Sequence, residues 1–151
     1  MPKQSEQIHA TCIALDDTGI LLLGDAGAGK SDLALRLIDE GAYLIADDRV
    51  NLRVEAGHLL ASAPPALAGK IEVRGIGIVP LNAQNIRANA RIFAAIRLTT
   101  HDAVPRMPEA EVETWAGIRV PIYPLAPFQA AASARVRILA DGVRRGILPL
   151  P

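Results

Sequence analysis

The chain has 151 residues, half of them hydrophobic, and its 16 Lys and Arg are matched by 16 Asp and Glu. That length suits a single domain spanning residues 1–151 with one sizeable core. With no net charge and only two Phe, two Tyr and one Trp, the chain offers neither the basic field nor the stacking platform that nucleic acids need. A lone cysteine, Cys12, excludes an intramolecular disulfide and reads as a small core residue. No apolar run approaches the roughly 20 residues that span a bilayer, and Met1–Gln7 lacks a signal-peptide layout. A cytoplasmic protein with no membrane partner is expected.

Residues 8–15 are apolar with β-branched members, Asp16–Gly19 is a turn cluster, and Ile20–Leu23 is a short apolar run. Together they predict a strand–turn–strand hairpin. The glycine-rich stretch Gly24–Gly29 then breaks the strand. Ser31–Glu40 follows with Leu33, Ala34, Leu37 and Ile38 on one helical face and Gly41 where a helix ends. Tyr43–Ala46 reads as a buried strand that stops at Asp47-Asp48, so residues 20–48 predict a strand–loop–helix–strand unit opening a parallel sheet. Alternation over Val50–Val54, a turn at Ala56-Gly57 and a return over His58–Ala63 predict a second hairpin. A strand from Ile71 runs into a glycine-rich bend, Arg91–Leu98 and Ile118–Tyr123 are further strands, and 100–117 reads as polar and irregular. Phe128–Ala140 predicts a closing helix ended by Asp141-Gly142, with Arg137, Arg144 and Arg145 on a solvated face. The class is α/β with a mixed sheet and few helices.

Gly24-x-x-x-x-Gly29-Lys30-Ser31 matches the phosphate-loop pattern. Glycines let the backbone of Gly24, Asp25, Ala26, Gly27, Ala28 and Gly29 curl until successive N–H groups point into one concavity. The helix that starts at Ser31, with Asp32 following, aims its N-terminal N–H groups and its dipole at the same place. Lys30 would neutralise phosphate oxygens and the Ser31 hydroxyl would ligate Mg²⁺, so ATP and Mg²⁺ are the expected ligands. Asp47 and Asp48 lie at the carboxyl edge of a strand expected beside the loop's own, where one carboxylate can organise a metal and the other take a proton. A plain turn cap is the competing reading of that pair. Glu72, on the face it shares with Arg74, is a metal-ligand candidate or an exposed salt-bridged residue, and His9 on its own reads as a surface histidine.

These signals occur in one order: Ile8-His9-Ala10, the loop Gly24–Asp32, Ala46-Asp47-Asp48, Ala63-Pro64-Pro65, and Ile71-Glu72-Val73-Arg74-Gly75-Ile76-Gly77. In that order they resemble the catalytic domain of the HPr kinase/phosphorylase family, closely over residues 8–80 and more thinly beyond. The resemblance implies a fold akin to phosphoenolpyruvate carboxykinase, hexamers, and a partner, the phosphocarrier protein HPr, of the phosphotransferase system that regulates carbon and nitrogen metabolism. It implies that Asp48 takes the proton of a target serine, Asp47 supports it near the metal, Glu72 and Ser31 hold Mg²⁺, and His9 and Arg106 join the active site. The chain looks like a short alphaproteobacterial form, without the family's N-terminal domain and C-terminal helices. Pro121–Gln129 lacks the Gly-Arg-Asn of the stretch that the family links to dephosphorylation, so reduced or absent phosphorylase activity is expected. An ATP-sensing module with little catalysis is the alternative, and a small-molecule kinase ranks behind it.

Overall fold

The computed structural model describes residues 4–149. Its strands are β1 (Ser5–His9), β2 (Thr11–Leu15), β3 (Thr18–Leu23), β4 (Tyr43–Ala46), β5 (Arg49–Glu55), β6 (His58–Ser62), β7 (Lys70–Val73), β8 (Gly77–Pro80), β9 (Asn89–Leu98), β10 (Glu111–Trp115) and β11 (Ile118–Leu125). Two helices, α1 (Lys30–Asp39) and α2 (Ala132–Arg144), complete the frame. Nine strands share one sheet with the path β1-β5-β6-β9-β3-β2-β4, onto which β10 and β11 are added beside β9, while β7 and β8 form a separate hairpin.

The hairpin foreseen at Asp16–Gly19 is β2–β3, closed by the two-residue turn Asp16-Asp17, with Asp16 at φ 51°. The apolar run before it divides at Ala10, and its first part becomes β1, which pairs with β5 instead. Helix α1 buries the four residues its periodicity singled out, Leu33, Ala34, Leu37 and Ile38. It ends at Gly41, whose φ of 111° suits a glycine, with the N–H of Ala42 donating to Leu37 O at 2.9 Å.

The unit over residues 20–48 is not the start of a purely parallel sheet. Strand β2 lies between β3 and β4 and is antiparallel to both. Strands β3 and β4 therefore run the same way, one strand apart, and β3 finds its parallel neighbour in β9, about 70 residues later in sequence. At the edge where β3 and β4 end, β2 begins.

Because the central strands are covered on both faces, they read as continuous apolar runs. In β3, Leu21 and Leu23 enter one core cluster and Ile20 and Leu22 the other. A register shift between Gly19 and Ile20 pairs them with Ile92 and Ala94, so Phe93 is the extra residue of a bulge. That extra residue sends Ile92 to the first cluster and Ala94 to the second. The helices cover the second cluster with Leu33, Leu37, Val136 and Ala140.

Two expectations fail in the second half. The stretch 100–117 holds a strand, β10, that pairs with β11 from Trp115↔Ile118 to Glu111↔Ile122. It is polar because Glu111 to Thr114 are exposed and only Trp115 is buried, so composition concealed it. Helix α2 starts and ends four residues later than foreseen. Residues 127–131 make turns, and Gly142 sits inside the helix instead of ending it. A β-carbon there would stand 2.5 Å from Leu148 Cδ1, so Gly142 is the space that lets the chain after α2 fold back. Of the late arginines, Arg137 bonds Glu40, the residue just past α1, at 2.7 Å, and Arg144 and Arg145 both bond Asp141.

Candidate active site

The carboxyl ends of β3 and β4 and the start of β2 bring four segments to one carboxylate. Asp47, 6 % exposed, accepts from the Thr11 hydroxyl at 2.9 Å and the Ser31 hydroxyl at 2.7 Å on Oδ1, and from the Glu72 N–H at 2.9 Å on Oδ2. Three donors satisfy a buried carboxylate that would otherwise be costly to place there. Those bonds tie β2, the first turn of α1 and β7 to the end of β4.

Asp48 is held differently. Its φ is 68°, unusual for a residue with a β-carbon, and the Arg49 N–H donates to Asp47 O at 2.8 Å, closing a three-residue turn around it. Its own N–H donates to Thr11 Oγ at 3.4 Å, and its carbonyl accepts from the Ala10 N–H at 3.2 Å. The side chain stays 58 % exposed, with Oδ1 3.4 Å from Nδ1 of His9 at the end of β1. A main chain fixed at three points thus carries a carboxylate open to an incoming group.

On the other side of Asp47 the glycine loop bends back. Gly29, at φ 100°, is the residue before the helix, and the Leu33 N–H donates to its carbonyl at 2.9 Å. The Ala28 N–H donates to Asp25 O at 3.0 Å within the loop. Lys30 is 7 % exposed, and its Nζ donates to Gly24 O at 2.5 Å and Asp25 O at 3.1 Å. Asp32, in the first helical turn, is 3.7 Å from Arg36 Nε.

A buried ammonium with only loop carbonyls for partners and a helix start beside it suits a phosphate chain. The Ser31 hydroxyl beside the Asp47 carboxylate is an oxygen donor pair of the kind Mg²⁺ takes, the rest of its shell coming from phosphate and water. Among the described residues no group of three or more His, Cys, Asp or Glu is gathered for a metal.

Of the residues singled out in the sequence, His9, Lys30, Ser31, Asp47 and Asp48 share this edge of the sheet. Glu72 reaches it through its main chain. Arg74 lies in the turn after β7, not on the strand face foreseen for it. Arg106 lines a different cavity, of about 400 Å³, with His101, Tyr123 and Arg135. Thr11 went unnoticed in the sequence, although it is fully buried and bonds both carboxylate residues. Its signal was a threonine in an apolar run two residues after His9, and only the interposed position of β2 gives that signal meaning.

A mixed α/β domain with few helices, carrying a glycine loop, a buried lysine and an aspartate pair at one sheet edge, is the class these elements define. The chain belongs to the family described as the HPr Serine kinase C-terminal domain, which it matches over residues 3–125. An HPr kinase/phosphorylase of Bordetella petrii is 32% identical over 152 aligned residues, covering 95% of this chain and 49% of that protein. HPr kinase/phosphorylase 1 of Oceanobacillus iheyensis is 36% identical over 100 residues, 63% of this chain and 32% of the relative. The solved Hpr(Ser) kinase/phosphatase from Coxiella burnetii superposes with a TM-score of 0.82 at 27% identity, covering 94% of this chain and 92% of that one. The chain spans about half the length, or less, of these curated relatives. Among the described residues no helix is long and apolar enough to cross a membrane.

Proposed function

We propose that residues 1–151 work as one phosphoryl-transfer domain that moves the γ-phosphoryl group of ATP to a serine of the phosphocarrier HPr. The observation that carries this is Asp48: an exposed carboxylate on a strained, three-point-fixed turn, adjacent to the residue that bonds the phosphate-loop serine. Strain of this kind is retained where a geometry serves chemistry.

In this reading the N–H groups of Gly27 to Ser31 and Lys30 Nζ cradle the phosphates, and Lys30 leaves the loop carbonyls to do so. Ser31 and Asp47, with Glu72, hold Mg²⁺, which supplies charge neutralisation when bound. Asp48 accepts the serine proton as the hydroxyl attacks, and His9 orients the Asp48 carboxylate. Catalysis is then mostly positioning and charge stabilisation. Arg106, on the wall of a separate cavity, is given no step in this reading. Dephosphorylation of the phosphorylated acceptor is expected to be weak, because Pro121–Gln129 lacks the Gly-Arg-Asn run. Regulation of a phosphotransferase system from the cytoplasm, as a homo-oligomer, is the setting this activity fits.

The test is transfer of label from γ-labelled ATP to HPr of the same organism, with Lys30→Ala and Asp48→Asn as controls. Serine-linked label that disappears in both variants supports the reading. Wild-type protein that binds ATP yet labels nothing would sink it.

A further inference from the structure

At Gly29, the last glycine of the loop, the wall is neither helix nor sheet. A β-carbon placed there would meet Phe128 Cζ at 2.8 Å and Cε1 at 3.2 Å, and Pro127 Cγ at 3.2 Å. The missing side chain of Gly29 is what lets the ring edge come this near, so loop and ring are fitted to each other. The segment is also anchored, since the Arg36 guanidinium of α1 donates to Pro127 O.

The ring itself is left in solvent. Phe128 is 71% exposed and belongs to neither core cluster. The other aromatic side chains are all engaged: Tyr43 lies under Arg87, Phe93 under Arg91, Trp115 is buried, and Tyr123 packs on the helix-side core. Single exposed apolar side chains are common on protein surfaces; what sets Phe128 apart is its place, an anchored segment that holds the ring edge against the last glycine of the loop.

We infer that Phe128 is the stacking platform for the purine base of the nucleotide whose phosphates occupy the loop. This rests on the phosphate-loop reading of Gly24–Ser31. Phosphates bound to the N–H groups of Gly27 to Ser31 leave the nucleoside to exit across the border of the loop, and at Gly29 that border is Pro127 and Phe128. A base laid on the ring covers apolar surface on both partners, and stacking tolerates any purine, because every base has a π-face. Phe128 therefore sets affinity for the nucleoside part and leaves affinity for the phosphates to Lys30 and the loop. The position falls in Pro121–Gln129, where this chain departs from the family's usual run.

The test compares two probes, MgATP and inorganic magnesium tripolyphosphate, by calorimetric titration of wild type, Phe128→Ala and Phe128→Trp. Phe128→Ala is expected to weaken MgATP by about 5- to 150-fold and to leave tripolyphosphate unchanged. Phe128→Trp is expected to restore MgATP. The exposed position keeps the fold intact, which an unchanged thermal melt verifies. Wild type that holds both probes while Phe128→Ala weakens neither, or both equally, overturns the inference alone. Wild type that holds neither probe overturns the phosphate-loop reading and the inference with it.

Discussion

Thr11 uses its one hydroxyl twice, donating to Asp47 Oδ1 and accepting from the N–H of Asp48. Thr11→Val keeps the shape but leaves a buried carboxylate short of a donor. The expected cost is about 1–3 kcal/mol of stability, read from urea unfolding, with turnover lowered more than ATP affinity. Thr11→Ser restores the hydroxyl and is expected to recover both. On the proposed reading, Asp48→Asn removes the proton acceptor and leaves the backbone turn intact. A drop in transfer of about 10²–10⁴-fold with ATP binding retained is expected, the usual contribution of a positioned general base. Asp48→Asn with unchanged transfer would return the pair to its plain turn-capping reading. That the glycine loop, Lys30 and the aspartate pair would meet at one sheet edge was legible, because those residue types stand out in the sequence by identity and order. Thr11 was not, since a buried threonine looks like any β-branched strand residue until its neighbours are known.

Helix α1 holds the loop's Lys30 and Ser31 at one end and is pinned by Leu37, which is 1% exposed in the helix-side core. Leu37→Ala is expected to cost about 2–5 kcal/mol and to weaken nucleotide binding with it, which unfolding curves and ATP titration on the same samples would establish. The far end of α1 is tied to α2 by Glu40 and Arg137. The hydrogen bond from Arg137, then that from Ser133, holds the Glu40 carboxyl below its ordinary range. Its folded value being lowered, the contribution is present above the ordinary carboxylate range and is lost as pH falls through the folded value. It is small, because both side chains are solvent-exposed in large part. Thermal melts of Glu40→Gln and wild type are therefore expected to differ slightly at neutral pH and to converge in acid. Helix α1 was legible from its periodicity and its ending glycine. Helix α2 was misplaced because Phe128 and Gly142 looked like an apolar start and a glycine stop. The first lies outside the helix against Gly29, and the second is a contact with Leu148.

Across the whole molecule, two apolar layers enclose one sheet, and Cys12, on β2 between β3 and β4, has no exposed surface. Burial pushes its thiol above the ordinary range, so little thiolate is available. Alkylation of native protein is expected to proceed only as fast as the sheet opens, with a urea dependence matching global unfolding. Fast labelling in the absence of denaturant would contradict this placement of β2. The mixed α/β class was readable from the alternation of short apolar runs and one strong helix. Strand order was not, because the pairing of β3 with β9 and the insertion of β2 beside β4 are set by contacts between distant segments that no local pattern encodes.

Lys30 Nζ rests on the carbonyls of Gly24 and Asp25, so the loop holds its own curvature like a spring clip closed on its catch. On the proposed reading an arriving phosphate opens that catch, exchanging two existing bonds for new ones. The net enthalpy of capture is thereby reduced, and the gain lies in a cradle already shaped. Lysine at this position is hinge pin and charge at once. Alanine there abolishes both, and a slack loop is part of what that variant measures.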